Sequence, residues 1–484
     1  MGFSQGISGL NASQSKLDVT GNNIANSQTT GFKKENVRFQ DVYARASGSA
    51  GLGVATADTR QDFSAGTISQ TGNNLDMGIE GGGFFRLEGE NGSTVFSRDG
   101  SFNRTADGRL VNATGSALTG YNVDNFNSPT TQASVNAGGI PETLQIPTEG
   151  LNARATTQAN LPVSLNAGET AKPDVAFDAS DNTTFDYSTP NTIYDSLGNS
   201  HSLNTYFTKT GENQWRVNGQ MTLGDDATLP KAVPGTGDEA GTLAGNQQAL
   251  GQLRSASNGS YDIDINGTSY TATVANATDN GNGEFTGGSV TYTQNVQPID
   301  LSFGSSGNLL SATGVNTGAG QNATEVPFSL NPQNGAAPIN FDFDFAGSNQ
   351  TAQAFASGNP SQDGYASGAL TALSVESNGM IRGSYDNGQQ IDLAQASLAS
   401  FANNQGLTNV GGNNWRATEE SGQPALGTAG TGVLGTIRGG SLEESNVEIS
   451  DELVDMIVSQ RQYQANAQTI TTQSEVLQTA VNLS

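Results

Sequence analysis

"GFSQGISGLNASQSKLDVTGNNIANSQTTGF" occupies residues 2–32, and its apolar side chains Phe3, Ile7, Leu10, Leu17 and Ile24 fall three, four or seven residues apart. With Gln14 and Gly21 on the intervening rungs, the stripe has a period near 3.5, the pattern of a helix that seats one face along another helix. The far end of the chain repeats it through Ile449, Leu453, Met456, Gln460, Tyr463, Ala467, Ile470, Ser474, Leu477 and Val481. Ser445 followed by Glu448 offers a capping box and Ser450 a second N-cap, so the start of this helix is open by several residues. At 1.5 Å per residue the first helix would be roughly 35 Å long and the second roughly 50 Å.

An ordinary amphipathic helix packed on its own domain would show the same stripes. The other faces argue against that. A face kept in water usually carries Lys and Glu, yet residues 2–26 hold only Lys16 and Asp18, and residues 459–484 only Arg461 and Glu475. The remaining positions are mostly Gln, Asn, Ser, Thr and Ala, which can be buried without desolvating a full charge. Isolated helices of this composition are marginal in water. Both are therefore expected to be surrounded by other protein and to order on association.

Between the helices the texture changes. The chain has 484 residues, 62 of them Gly, with 34% hydrophobic and 14% charged, which suits turn-rich β-structure in more than one domain. Its net charge is -26, while residues 1–70 hold six Lys/Arg against five Asp/Glu. That acidity excludes nucleic acid as an expected partner. No apolar run approaches the ~20 residues of a bilayer span, and no signal-peptide core follows Met1. With no cysteine there is neither a disulfide nor a thiolate metal site.

Residues 27–70 read as an extended connector with some β-structure, broken by Gly48, Gly51 and Gly53. From Thr71 hairpins follow, with turns at Asn91-Gly92, Asp99-Gly100 and Asp107-Gly108, and the texture returns with Asn378-Gly379 and Asn387-Gly388. We expect one β-domain built from residues 71–147 and 361–437. An outer β-domain, residues 148–360, would be inserted into it and enlarged around 230–297. The terminal helices, residues 1–26 and 446–484, lie outermost. The expected class is thus multidomain, with α-helical, coiled-coil-like termini and nested all-β domains.

No motif in the sequence carries a convincing catalytic or ligand-binding constellation. "GFSQG" (residues 2–6) matches the G-x-S-x-G elbow as text, but no strand precedes it, and the single histidine, His201, reads as part of a turn. Asp262, Asp264, Asn266 and Gly267 open like an EF-hand loop, but Thr273 stands where a bidentate Glu is required, and a strand-turn-strand explains the same residues. The glycines of "GGGFF" (residues 81–85) lack the lysine of a phosphate loop, and Phe84 or Phe85 reads as a core anchor. Sequons at Asn103 and Asn182 are expected by chance in so Asn- and Thr-rich a chain. No catalytic residue, cofactor or metal ligand is assigned.

The stretches "SGLNASQSKLDVTGNNIANSQTTGFKKENVRFQD", "TGNNLDMGIEGGGFFRL", "FSRDGSFNRTADGRLVNATGSALTGY" and "GGSLEESNVEISDELVDMIVSQRQYQANAQTITTQSEVLQTAVNLS" resemble the shared motifs of the bacterial flagellar rod/hook axial proteins. "IYDSLGNSHSLNTYFTKTGENQWRV" and "LASFANNQGLTNVGGNNWRAT" resemble the hook branch of that family, and together the matches cover well over half the chain in order. The resemblance implies a structural subunit, exported unfolded through the flagellar type III apparatus without a cleaved signal. It would polymerise at the cell surface into a curved, flexible tube that carries torque from rod to filament. Implied partners are copies of the chain, a distal rod protein, a hook cap, a hook–filament junction protein and the export apparatus, with no cofactor, nucleic acid or membrane insertion. Phe3, Ile7, Leu10, Leu17, Ile24, Leu453, Met456, Tyr463, Ile470, Leu477 and Val481 would then be assembly residues, and the helices would form the inner core. Two alternatives share part of the pattern: a distal rod subunit, which should lack the large insertion, and an extracellular β-rich adhesin, which leaves the terminal stripes unexplained.

Overall fold

The computed structural model describes residues 2–42, 53–89, 91–128, 131–223, 253, 256–265, 268–279, 281–282, 285–286, 288–314 and 323–482. The chain divides into two units: residues 1–126, 132–149 and 370–484 form the first, and residues 127–131 and 150–369 the second.

The first unit opens with the helix Gly2–Ala25 and closes with the helix Ile449–Asn482. Strands Glu35–Asp41 and Val54–Gln61 pair antiparallel as a two-stranded ribbon. The main sheet takes strands from both chain segments, in the order Leu370–Val375, Met380–Tyr385, Gln390–Ser400, Ala117–Asp124, Phe84–Glu88, Thr94–Ser97, Asn414–Arg416 and Thr408–Gly411. The long strand Gln390–Ser400 is the splice, pairing Ala394 with Asn122 and Leu398 with Phe85. Its middle is buried on both faces, as a central strand covered on both sides must be.

Phe84, Phe96 and Trp415 are buried together, with Phe63 and Phe401 packed edge-on at centroid distances of 4.7 to 5.9 Å. Phe85 packs separately, on Phe102 at 5.4 Å. The Asn-Gly and Asp-Gly turns have two different causes. Gly379 and Gly388 hold φ of +81°, which favours glycine, whereas Gly100 is required by space: a Cβ there would lie 1.8 Å from the Met77 carbonyl oxygen.

In the second unit a seven-stranded sheet runs in the order Tyr187–Tyr194, Ser200–Gly211, Gln214–Thr222, Ser289–Phe303, Thr268–Ala275 and Gly259–Ile265, with Leu309–Thr313 also pairing Ser289–Phe303. A four-stranded sheet (Glu325–Leu330, Ile339–Asp344, Gln158–Asn160, Ser361–Gln362) and a three-stranded sheet around Val163–Asn166 share one core with it. Alternation produces this: Ile339, Phe341 and Phe343 point inward and Asn340 and Asp342 outward. Trp215 is fully buried and donates from Nε1 to Gln350 Oε1 at 2.9 Å. Pro190 sits in the edge strand Tyr187–Tyr194 without breaking its pairing with Ser200–Gly211, as a proline can at a sheet edge. The Asp262–Thr273 stretch is a strand pair with Asp262 opposite Thr271; its tip, Asn266 and Gly267, lies outside the described residues, as do residues 224–252 of the segment expected to be enlarged.

His201 does not lie in a turn. It belongs to the strand Ser200–Gly211, buried on the inner face, because the turn ends one residue earlier than its Gly-Asn-Ser sequence suggests. Its Nε2 donates to Asp195 Oδ2 at 3.0 Å. The same carboxylate accepts from the Leu197 and Asn199 backbone N–H groups, from Asn199 Nδ2 and from Asn334 Nδ2. Burial alone would raise the Asp195 carboxyl; the hydrogen bonds from His201, Asn334 and Asn199 override it and hold it at about 2, below its ordinary 3.8. A depressed carboxyl contributes stability above its unfolded value and loses it as pH falls through the folded one. We therefore expect stability to fall between about pH 4 and about pH 2, and Asp195→Asn to flatten that slope. Urea unfolding at a series of pH values, followed by Trp215 fluorescence, checks this; equal slopes in both proteins would refute it.

Candidate assembly surface on the terminal helices

The two helices pack antiparallel: Gly6 approaches Ile470, Gly9 approaches Asn466, Lys16 reaches Asp455 at 3.4 Å, and Asn23 Nδ2 donates to Glu452 Oε2 at 3.2 Å. With Ser13 and Thr20, both buried, the first helix presents Gly6, Gly9, Ser13, Lys16, Thr20 and Asn23 along this seam. Glu452, Asp455, Ser459, Gln462 and Asn466 line it from the other side. Glycine permits the approach, since a Cβ at Gly9 would lie 2.8 Å from Asn466 Nδ2 and one at Gly6 2.9 Å from Ile470 Cγ1.

Each seam residue of the first helix precedes a residue of the apolar stripe, apart from Phe3, by one position. The stripe is therefore rotated by roughly 100° from the seam. Phe3 and Ile7 remain 43% and 41% exposed, and Leu10, Leu17 and Ile24 half-buried. On the second helix Leu453 is 46% and Leu477 55% exposed, while Met456, Tyr463 and Ile470 are half-buried, Ile470 against Gly6. The Val481 side chain lies outside the described residues. Val454, Ile457, Val458 and Val476, which the stripe omitted, are exposed as well. The apolar stripe of the first helix thus lies beside its contact with the second helix rather than in it, and small and polar residues, together with Ile470, make that contact. The second helix is also the longer, 34 residues against 24, and the turns carrying Val476 and Leu477 run past the start of the first.

Charged side chains hold the root of this pair. Lys34 Nζ meets Glu452 Oε1 at 2.5 Å; burial works against the Lys34 ammonium, but the Glu452 carboxylate outweighs it and raises its pKa. Asn23 pairs with the Glu35 backbone through both its amide groups, and the Asn446 side chain accepts from Lys34 N and donates to Asp62 O. Deeper, Glu443 is wholly buried between two cations: Oε1 accepts from Lys33 Nζ at 2.6 Å and Gly66 N at 2.8 Å, and Oε2 from Arg98 Nη1 at 3.0 Å. Lys33 also donates to Ser64 O and Arg98 to Gly81 O, and the Arg98 guanidinium lies 5.3 Å from the centroid of the Phe84 ring. Burial pushes both the Lys33 and Arg98 pKa values down, against the pull of Glu443. The sequence reading missed these residues. A signal was present: Lys33-Lys34 follows the first helix, and residues 443–455, around the start of the other, hold six acidic residues and no cation, a complementary pairing.

Four family models match the chain in order. They are the flagella basal body rod protein (residues 4–33), the flagellar hook protein FlgE/F/G D1 domain (78–157), the flagellar basal body protein FlaE D2 domain (160–285 and 262–365) and the flagellar basal body rod FlgEFG protein C-terminal (438–483). The flagellar hook protein FlgE of Escherichia coli (strain K12) is 37% identical over 486 residues, covering 100% of both chains. That of Salmonella typhimurium is 37% identical over 483 residues, again with 100% of each covered. A crystal structure of Helicobacter pylori flagellar hook protein FlgE2 aligns with 76% of this chain and 99% of that one, at 15% identity and a TM-score of 0.40.

Two substitutions test the geometry. Glu443→Gln leaves two cations buried without an anion and should lower stability by about 3–5 kcal/mol in urea unfolding, while joint replacement of Lys33, Arg98 and Glu443 by Met, Met and Leu should recover most of it. Gly9→Val should weaken the helix pair by about 1–3 kcal/mol through overpacking. Helix propensity favours valine by a few tenths of a kcal/mol, so a lower circular-dichroism melting midpoint reports the seam itself, and a raised one would refute it.

Proposed function

The chain belongs to the bacterial flagellar hook protein family, as a structural subunit of the hook, and from that premise we propose how it assembles. Its full-length match to hook proteins does not favour a distal rod subunit or a non-flagellar adhesin. The terminal helices pack in coiled-coil fashion against those of neighbouring copies, through Phe3, Ile7, Leu10, Leu17 and Ile24 on one side and Leu453, Met456, Tyr463, Ile470, Leu477 and Val481 on the other. The observation that carries this is the set of apolar side chains left exposed on two helices already packed together through another face. Repeated head-to-tail, such a contact does not close and builds a helical tube.

In this reading the helices line the inner core and order fully only on association. The ribbon of residues 27–70 braces neighbours. A β-domain of residues 71–147 and 361–437, with the inserted domain of residues 148–360, forms the outer wall of a curved, flexible tube that turns the filament without catalysing a reaction. Export through the type III apparatus without a cleaved signal, and contacts with a distal rod protein, a hook cap and a hook–filament junction protein, belong to the same proposal. No described helix is long and apolar enough to cross a membrane.

A chain truncated after Asn446 tests it. Concentrated full-length protein should form curved tubes in electron micrographs, and the truncated chain none, with the unfolding transition of its β-units nearly unchanged. Tubes from the truncated chain would overturn the assignment to the helices, and straight tubes from the full chain would overturn the curvature.

A further inference from the structure

In the first unit a cleft of ≈ 230 Å³ opens where the two terminal helices meet the two-stranded ribbon, with Gly9, Ser13, Lys16, Asn466, Phe39 and Val54 on its walls. An engineered apolar cavity of about 150 Å³ takes up benzene, so this space admits one aliphatic side chain. Ser13 Oγ does not compete for it, since it donates to Gly9 O at 2.8 Å. Lys16 is paired with Asp455 at 3.4 Å. The walls are held without any occupant: Val54 N donates to Ser8 Oγ at 3.3 Å toward one end of the ribbon, and Asn23 holds Glu35 at the other. Phe39 nevertheless stays 39% exposed.

The same helix pair carries a side chain of the right kind with nothing to pack on. Along the second helix the seam runs through Ser459, Gln462, Asn466 and Ile470, and the three-or-four spacing continues to Gln473 and Leu477. Gly6 faces Ile470 and the first helix starts at Gly2, so residues 475–482, roughly 12 Å of helix, run past that start. Leu477 therefore continues the seam face where the first helix has run out, and it is 55% exposed. Within one chain it cannot fill the cleft, because Asn466 on the cleft wall lies eleven residues, roughly 16 Å, back along the helix.

We propose that Leu477 of one copy seats in this cleft of the next. The contact rests on the assembly proposed above and names the surface that one of its residues uses. A second copy is the occupant because the chain belongs to a family of flagellar hook subunits, and because the projecting side chain and the cleft sit on one helix pair, displaced along its axis. Seating buries no charge from the projecting end: residues 462–482 hold only Glu475, about 200° around the helix from Leu477. Since the two surfaces are different patches, the contact repeats from copy to copy without closing.

The chain has no cysteine, so Leu477→Cys combined with Val54→Cys supplies its only thiols. Oxidised within tubes of the full-length chain, this double variant should give a ladder of cross-linked multimers on a non-reducing gel, and each single variant should stay monomeric. Tubes without cross-links overturn the proposal and leave assembly through the helices standing, whereas no tubes from the unaltered chain overturns both. Dimers alone overturn the head-to-tail arrangement, since two copies would then exchange side chains about a two-fold axis. A second measurement serves even where the cysteine pair does not assemble. Leu477→Ala and Val54→Trp, which fills the cleft, should each raise the critical concentration for tubes about tenfold or more, the scale of one buried leucine. Together they should raise it no further than either alone, and additive effects would overturn the contact.

Discussion

One carboxylate, that of Glu443, sets the terms for the first unit. It satisfies Lys33 and Arg98 at once, in a place closed to solvent, and through them it ties together segments that are hundreds of residues apart. Lys33 brings the end of the first helix, Ser64 and Gly66 the end of the ribbon, Arg98 the hairpins that carry Phe84, and Glu443 itself the approach to the second helix. A buried ion cluster is a poor source of net stability, since desolvation cancels most of the attraction. What it supplies is intolerance of alternatives: any arrangement that separates these segments strands a bare charge.

The sequence carried more of this than its low complexity suggests. Helices at both ends were legible from period, and hairpins from Asn-Gly and Asp-Gly pairs, because both signals are local. His201 was misplaced because one residue decides whether a turn has ended. The face used within the chain was not legible from the stripe, for a subtler reason. A hydrophobic stripe marks where a helix wants company but not whose, and the chain's own second helix took the neighbouring face, where glycines admit it. Glu443 could be assigned no role from sequence, since it depends on partners far away in the chain.

Small residues at the seam and apolar residues beside it divide the work between two kinds of contact. The inner one is short-range and geometric, set by Gly6 and Gly9, and fixes how the two helices of one chain lie. The outer one, in the proposed assembly, would be worth roughly 25 cal/mol for each Å² of apolar surface removed from water, and nearly indifferent to small shifts in register. A subunit assembled this way would be stiff within itself and forgiving toward its neighbours.

Pro190 extends that logic to the outer unit. Exposed sheet edges are ready templates for pairing, and a row of identical subunits would present many of them side by side. By withholding a hydrogen-bond donor at the edge strand Tyr187–Tyr194, this proline makes that edge a poorer template for a further strand. In the proposed tube, contacts along that edge would then rest on side chains, which part and meet again at little cost.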